Sequence, residues 1–75
     1  MLAYVLLGVA PNTEEKVYAK LKKIDEVKEI NILFGSWDIV AKVEIKSVAG
    51  LNEFMLDKVR KIPEVNLTAT MIVAK

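Results

Sequence analysis

Near the middle of the chain, Gly35 and Ser36 stand alone between two apolar segments, Val27 to Phe34 and Trp37 to about Lys46. A two-residue link is too short for a helical crossover, so the flanking segments must pair as antiparallel neighbours. Glycine in the first link position suits a type II′ turn, because that position has positive φ. The hairpin also divides the chain into halves of similar length, and each half carries its own strand, helix and strand signals.

In the first half, Met1 to about Val9 is aliphatic and β-branched and too short for a helix, which predicts a strand. Pro11 and Asn12 stop it. Asn12 is expected to be the N-cap of the first helix, with Glu15 three residues on in a capping box and Glu14 at the positive end of the helix dipole. That helix runs to about Ile24 and buries Val17, Leu21 and Ile24, with Tyr18 at the edge of the stripe. Asp25 and Glu26 make the turn into the second strand. In the second half, Trp37, Ile39, Ala41, Val43 and Ile45 alternate with Asp38, Val40, Lys42, Glu44 and Lys46, so the two rows occupy opposite faces of a third strand. Ser47 caps a second helix with the buried stripe Val48, Leu51, Phe54, Met55, Val59 and Ile62, leaving Leu56 off the stripe. Pro63 ends it, and Glu64 to Ala74 reads as the fourth strand.

Right-handed crossovers fold this order into an α+β ferredoxin-like βαββαβ plait, a four-stranded antiparallel sheet of order 4-1-3-2 with both helices on one face. The central first strand is apolar on both sides, with Ala3, Val5, Leu7 and Val9 in one row and Leu2, Tyr4, Leu6 and Gly8 in the other. The helices cover only one of those rows. At 75 residues the chain is short for a self-sufficient core, and it has no Cys for disulfides and no His. A second copy of the sheet is therefore the expected cover, giving a two-fold homodimer. The hydrophobic share of 53% agrees with extra burial of that kind.

A net charge of +1 is too even for an electrostatic nucleic-acid footprint or a polybasic membrane patch. The clusters Lys20, Lys22, Lys23 and Lys58, Arg60, Lys61 fall in the last turns of the two helices, where cations offset the dipole. No apolar run approaches the roughly 20 residues that span a bilayer, and the apolar start lacks the basic region of a signal peptide. A cytoplasmic, reducing setting fits. Thiolate and imidazole ligands are missing, which argues against a metal carrier and gives no reason to expect a cofactor. No nucleophile stands with a base, and no second carboxylate stands at catalytic spacing, so an enzyme is not expected. Tyr4 and Trp37 lack the basic motif that would make the sheet an RNA platform.

The polar residues that remain gather at one rim. Asp38 at the start of the third strand and Thr68 near the start of the fourth are expected about two strand spacings apart, roughly 10 Å. If the apolar rows face the helices, Asp38, Thr68 and Thr70 project together to the opposite face. A carboxylate can pair with an ammonium, while hydroxyls and hairpin N–H groups can hold a carboxylate, which together suit a free α-amino acid. Each residue also has a plainer use. Gly35 and Ser36 can serve only as a turn, Asp38 can bond its own turn backbone, Thr68 and Thr70 are ordinary β-branched strand residues, and Trp37 can anchor core or interface.

Gly35-x-x-Asp38 leading into an alternating strand, a helix ending Ile62-Pro63, then Val65 and Thr68-x-Thr70 with an aliphatic tail, resembles the effector-binding (RAM) domain of the Lrp/AsnC feast/famine transcription regulators. The resemblance spans essentially the whole chain. It implies a non-enzymatic ferredoxin-like subunit that dimerises through its sheet, dimers assembled into rings such as octamers, and a small amino acid bound between dimers. The pocket carries over as Gly35, Ser36, Asp38, Thr68 and Thr70. Glu64 departs from the glycine common after the helix-ending proline. The family's helix-turn-helix half has no counterpart before the first strand, so the chain resembles stand-alone members: one domain without direct DNA contact, open to mixed assembly with full-length regulators. Two other readings compete with the sensor, an oligomerisation scaffold that binds nothing and, with less in its favour, an enzyme of the dimeric α+β barrel type.

Overall fold

The computed structural model describes residues Met1–Lys75. Its elements are β1 (Leu2–Val9), α1 (Glu14–Lys22), β2 (Val27–Ile32), β3 (Ile39–Glu44), α2 (Val48–Phe54), which continues into a π-helical turn (Met55–Val59), and β4 (Val65–Ile72). The sheet is antiparallel throughout in the order β2-β3-β1-β4, which is the expected 4-1-3-2 order viewed from the other side.

All the buried residues are apolar, and they form a single core between the helices and one face of the sheet. β1 contributes Ala3, Val5, Leu7 and Val9, and β3 contributes Ile39, Ala41 and Val43, continued by Ile45. Val17 and Leu21 close the core from α1. Leu51, Phe54, Met55, Val59 and Ile62 close it from α2 and the segment that follows. Each large aliphatic or aromatic side chain in this set stabilises the fold by about 1.5–3 kcal/mol of transfer free energy. Two members of the expected stripes fall outside the core: Val48, in the first turn of α2, is exposed, and Ile24, beyond the end of α1, is only partly buried.

The start of α1 differs from the expectation. Asn12 takes a left-handed φ of 67°, and Thr13 is the cap, so the capping box of Asn12 with Glu15 does not form. Asn tolerates the left-handed turn because its short polar side chain costs little there, and the helix begins one position later than expected. The Thr13 hydroxyl instead donates to the Ala10 carbonyl at 2.6 Å, which closes the turn after β1. Ser47 caps α2 as expected, its hydroxyl accepting from the Gly50 N–H at 3.0 Å.

The central hairpin is also wider than a two-residue type II′ turn. Its last ladder pair is Ile32 with Ile39, and the Leu33 N–H donates to the Asp38 carbonyl at 2.8 Å, leaving Phe34, Gly35, Ser36 and Trp37 as the loop. On its other side the Asp38 N–H donates to the Leu7 carbonyl at 2.9 Å, so Asp38 is held between its hairpin partner and β1.

Pairing register also decides what each face carries. Directly opposed residues of neighbouring strands share a face. Tyr4, Leu6 and Gly8 lie opposite Met71, Ala69 and Leu67 of β4, and Tyr4 and Leu6 also lie opposite Lys42 and Val40 of β3. The open face is therefore a continuous and largely apolar surface. Leu67 and Met71 are 61% and 52% exposed on it, far more than a settled sheet face leaves such side chains.

Candidate functional site

Asp38 sits where the pairing of β1 with β3 runs out. Beyond the last pair, Leu7 with Ile39, the Val9 N–H has no ladder carbonyl opposite it. The Asp38 side chain replaces that carbonyl: one carboxylate oxygen, Oδ2, accepts from Val9 N–H at 2.8 Å. No Lys, Arg or terminal ammonium pairs with Asp38, and its other oxygen receives no donor from the chain. The plain use of Asp38 thus engages only one of its two carboxylate oxygens, and it bonds the neighbouring strand, not its own turn.

Beside the carboxylate, Gly8 leaves a shallow notch. A Cβ built there would lie 3.4 Å from the Leu67 Cβ and 3.9 Å from Asp38 Oδ2. Leu67 thus supplies an apolar border and Asp38 a charged one, on the open face of the sheet. Above the rim stands the 34–37 loop, in which Gly35 has φ of 138° with open space around it. Phe34 at the loop tip is fully exposed. The sequence reading puts Phe34 at the end of the second strand, and nothing in the local sequence distinguishes a loop-tip Phe from a strand Phe. Trp37 is half-buried outside the strand and is not a member of the core.

Thr68 and Thr70 are not on the Asp38 face. Thr68 lies opposite Leu7 and Thr70 opposite Val5, both fully buried toward the helices, so the two hydroxyl side chains point to the helix side at the β4 edge. The expectation that Asp38, Thr68 and Thr70 share a face is thereby corrected. It assumed that the more apolar row of β4 faces the helices, whereas Leu67, Ala69 and Met71 occupy the open face. Within one chain the structure brings together Asp38 and the Gly35-Ser36 loop, and separates them from the threonines. On their own side, Thr68 and Thr70 line a cleft of about 330 Å³ with Asn52, Met55, Leu56 and Arg60.

The remaining charged groups brace the scaffold. Lys58 donates to both carboxylate oxygens of Glu26 at 3.0 Å, tying the π-helical turn to the start of β2. That hydrogen bond is the main cause holding the Glu26 carboxyl below its usual pKa. Lys16 of α1 donates to Glu64 at 2.8 Å and lowers the Glu64 pKa in the same way. Glu64, the residue that departs from the glycine of the resemblance, therefore couples α1 to the beginning of β4. Exposed pairs of this kind add little to stability. No helix is long and apolar enough to cross a membrane.

These features define the class: a ferredoxin-like α+β subunit with an unpaired rim carboxylate on an uncovered apolar sheet. Residues 2–75 match the family model described as the Lrp/AsnC ligand binding domain, and the chain belongs to that family. HTH-type transcriptional regulator FL11 of Pyrococcus abyssi is 39% identical over 75 residues, an alignment that takes in 100% of this chain and 49% of that regulator. The chain spans about half the length of the curated relatives it matches. Among solved structures, FFRP-DM1 superposes with a TM-score of 0.92 at 38% identity, covering 96% of each chain. Escherichia coli AsnC superposes with a TM-score of 0.93 at 27% identity, covering 99% of this chain and 50% of that one. The domain is thus one found in transcriptional regulators.

Proposed function

We propose that this domain is a non-enzymatic sensor of a small amino acid, which changes the assembly of a transcription regulator. The observation that carries the reading is the Asp38 carboxylate, held in place by the Val9 N–H yet free of any cation. It is an acceptor for a ligand ammonium. The Gly35-Ser36 backbone supplies N–H groups for the ligand carboxylate, and Leu67 with the Gly8 notch borders the aliphatic side chain. The open sheet face pairs with a second copy through Tyr4, Leu6, Leu67 and Met71. The loop bearing Phe34 meets a further dimer in a ring, or in mixed assemblies with chains that join the same domain to a helix-turn-helix half. The ligand shifts assembly by the difference in its affinity for the two states.

Calorimetry with each standard amino acid, on the wild type and on Asp38→Asn, tests the reading. Binding of at least one amino acid by the wild type, lost in the variant, is the expected result. Silence from the whole panel removes the sensor function. The bond from Asp38 to Val9 favours a second reading, in which the acid is structural and the domain is an oligomerisation scaffold. Light scattering then gives one mass with and without every amino acid.

A further inference from the structure

The two edges of the sheet are built differently. β2 is the edge beside β3, and β4 is the edge beside β1. β2 carries Lys28 and Glu29, and its register shifts between Val27 and Glu29; charges and a bulge of this kind keep an edge strand from pairing further. β4 has none of these guards. Its eight residues, Val65–Ile72, include no charge, proline or glycine, and its register against β1 is unbroken from Leu67 to Ile72.

Ladder bonding fixes which backbone groups that edge offers. The Val73 N–H donates to the Leu2 carbonyl at 2.9 Å. Bonded and non-bonded pairs alternate along an antiparallel ladder, so Met71, Ala69 and Leu67 turn their backbone groups to Tyr4, Leu6 and Gly8 of β1. On the other side of β1 the Ile45 N–H donates to the Met1 carbonyl at 2.9 Å, which assigns Ala3, Val5 and Leu7 to β3 and agrees with that alternation. The N–H and C=O groups of Asn66, Thr68, Thr70 and Ile72 therefore point out of the sheet. No turn, loop or side chain of the subunit bonds them.

We infer that β4 pairs antiparallel with β4 of a second copy about a two-fold axis through Ala69, joining two four-stranded sheets edge to edge. A two-fold axis normal to the sheet keeps every side chain on its own face only when one residue lies opposite itself at the centre. Centring on Ala69 pairs all four outward residues with one another: Thr68 with the second copy's Thr70, and Asn66 with the second copy's Ile72. Centring on Thr68 would draw in Glu64, whose carbonyl already accepts from the Ala10 N–H at 2.9 Å. Centring on Thr70 would set Asn66 against Ala74, beyond the end of the strand. With Ala69 at the axis, a small side chain occupies a non-bonded pair, where opposed backbones come closest. Threonine meets threonine on the helix side and Leu67 meets the second copy's Met71 on the open face, both favourable cross-strand pairs. No charge is set against its twin. Leu56, 58% exposed on the helix side beside Thr68 and Thr70, lies along the join. The edge pairing leaves the apolar open face free, so it neither requires nor prevents the face-to-face contact proposed above.

The chain has no cysteine, so a single introduced one reports the join directly. Ala69→Cys is treated with diamide and followed on a non-reducing gel. In the inferred register the two Cα atoms lie about 4.5 Å apart, within the roughly 4.4–6.8 Å that a disulfide spans. Sheets packed face to face lie about 10 Å apart, too far for that bridge. The covalent dimer is expected to form at least about tenfold faster than in Glu29→Cys, an exposed control on the other edge, because an in-register partner acts at a far higher effective concentration than a colliding chain. Amide hydrogen exchange on the wild type gives a second readout free of any substitution. The Thr68 and Thr70 amides are expected to exchange about as slowly as that of Ala69, since a paired edge protects the outward N–H groups as the β1 ladder protects the inward ones. Rapid exchange at Thr68 and Thr70 overturns the inference, as does cross-linking of Ala69→Cys no faster than that of Glu29→Cys. Faster cross-linking in Thr68→Cys or Thr70→Cys than in Ala69→Cys overturns the register. Fast-exchanging edge amides in a protein whose mass falls on Leu67→Asp remove the edge pairing and leave the face contact standing.

Discussion

Replacing Asp38 in two ways separates its structural use from its proposed ligand role. Asp38→Ala deletes the acceptor for the Val9 N–H, a bond of 2.8 Å at a partly buried position. Hydrogen bonds to a charged acceptor contribute about 1.5–3 kcal/mol, and partial water access to the freed N–H brings the expected loss to about 1.5 kcal/mol. In a chain of this size that loss lowers Tm by roughly 6–12 °C. Asp38→Asn keeps an oxygen that can accept from the same N–H, so its expected cost is about 0.5 kcal/mol or less, that of a neutral bond in place of a charged one. Both variants lose the charge that would hold a ligand ammonium, and both are expected to bind the effector about 10- to 100-fold more weakly. Thermal unfolding at one fixed protomer concentration, followed by calorimetry, reads the two effects separately; the fixed concentration matters because self-association adds to apparent stability. An alanine variant as stable as the wild type refutes the structural half of the reasoning. An asparagine variant that binds as tightly as the wild type refutes the ligand half.

Three further outcomes are expected. Leu67→Asp places a charge on the open sheet face at a side chain 61% exposed in the single subunit, so the subunit keeps its fold and the mass measured by light scattering falls. An unchanged mass would show that the sheet face is not the interface. Gly35→Ala forces a side chain onto a φ of 138° with nothing within 4 Å of the new Cβ, so the whole cost, about 1–3 kcal/mol, is backbone strain and appears in the urea midpoint. The carboxyls of Glu26 and Glu64 have folded pKa values depressed below 4.5, so the stability they confer is present above the unfolded value and is lost as pH falls through the lower folded values. Glu26→Gln is expected to reduce that acid-side loss, and an acid unfolding profile identical to that of the wild type would remove Glu26 from the account.

Much of this architecture is legible in the sequence. Period-2 alternation in Trp37 to Lys46 placed Ile39, Ala41, Val43 and Ile45 on the core side, and all four are buried there. Ser47 announced a cap and Pro63 a stop because their chemistry acts within a few residues of backbone. Asn12 is ambiguous for the same local reason: Asn suits both an N-cap and a left-handed turn, and only the path from β1 into α1 chooses between them.

The chain by itself determined the order of elements, the antiparallel sheet and the two-sided apolar character of β1, because these depend on periodicity and on short-range turn chemistry. Only the tertiary structure decided which row of β4 faces the helices. The rule that apolar residues turn inward pointed the wrong way there, since Leu67 and Met71 belong to the uncovered face and Thr68 and Thr70 to the helix side. Facing is set by strand register, which depends on contacts between β1 and β4 across 56 to 69 positions of chain, so no local pattern carries it. The same register divides the polar residues that looked like one site into a carboxylate on the open face and a donor-lined cleft behind it.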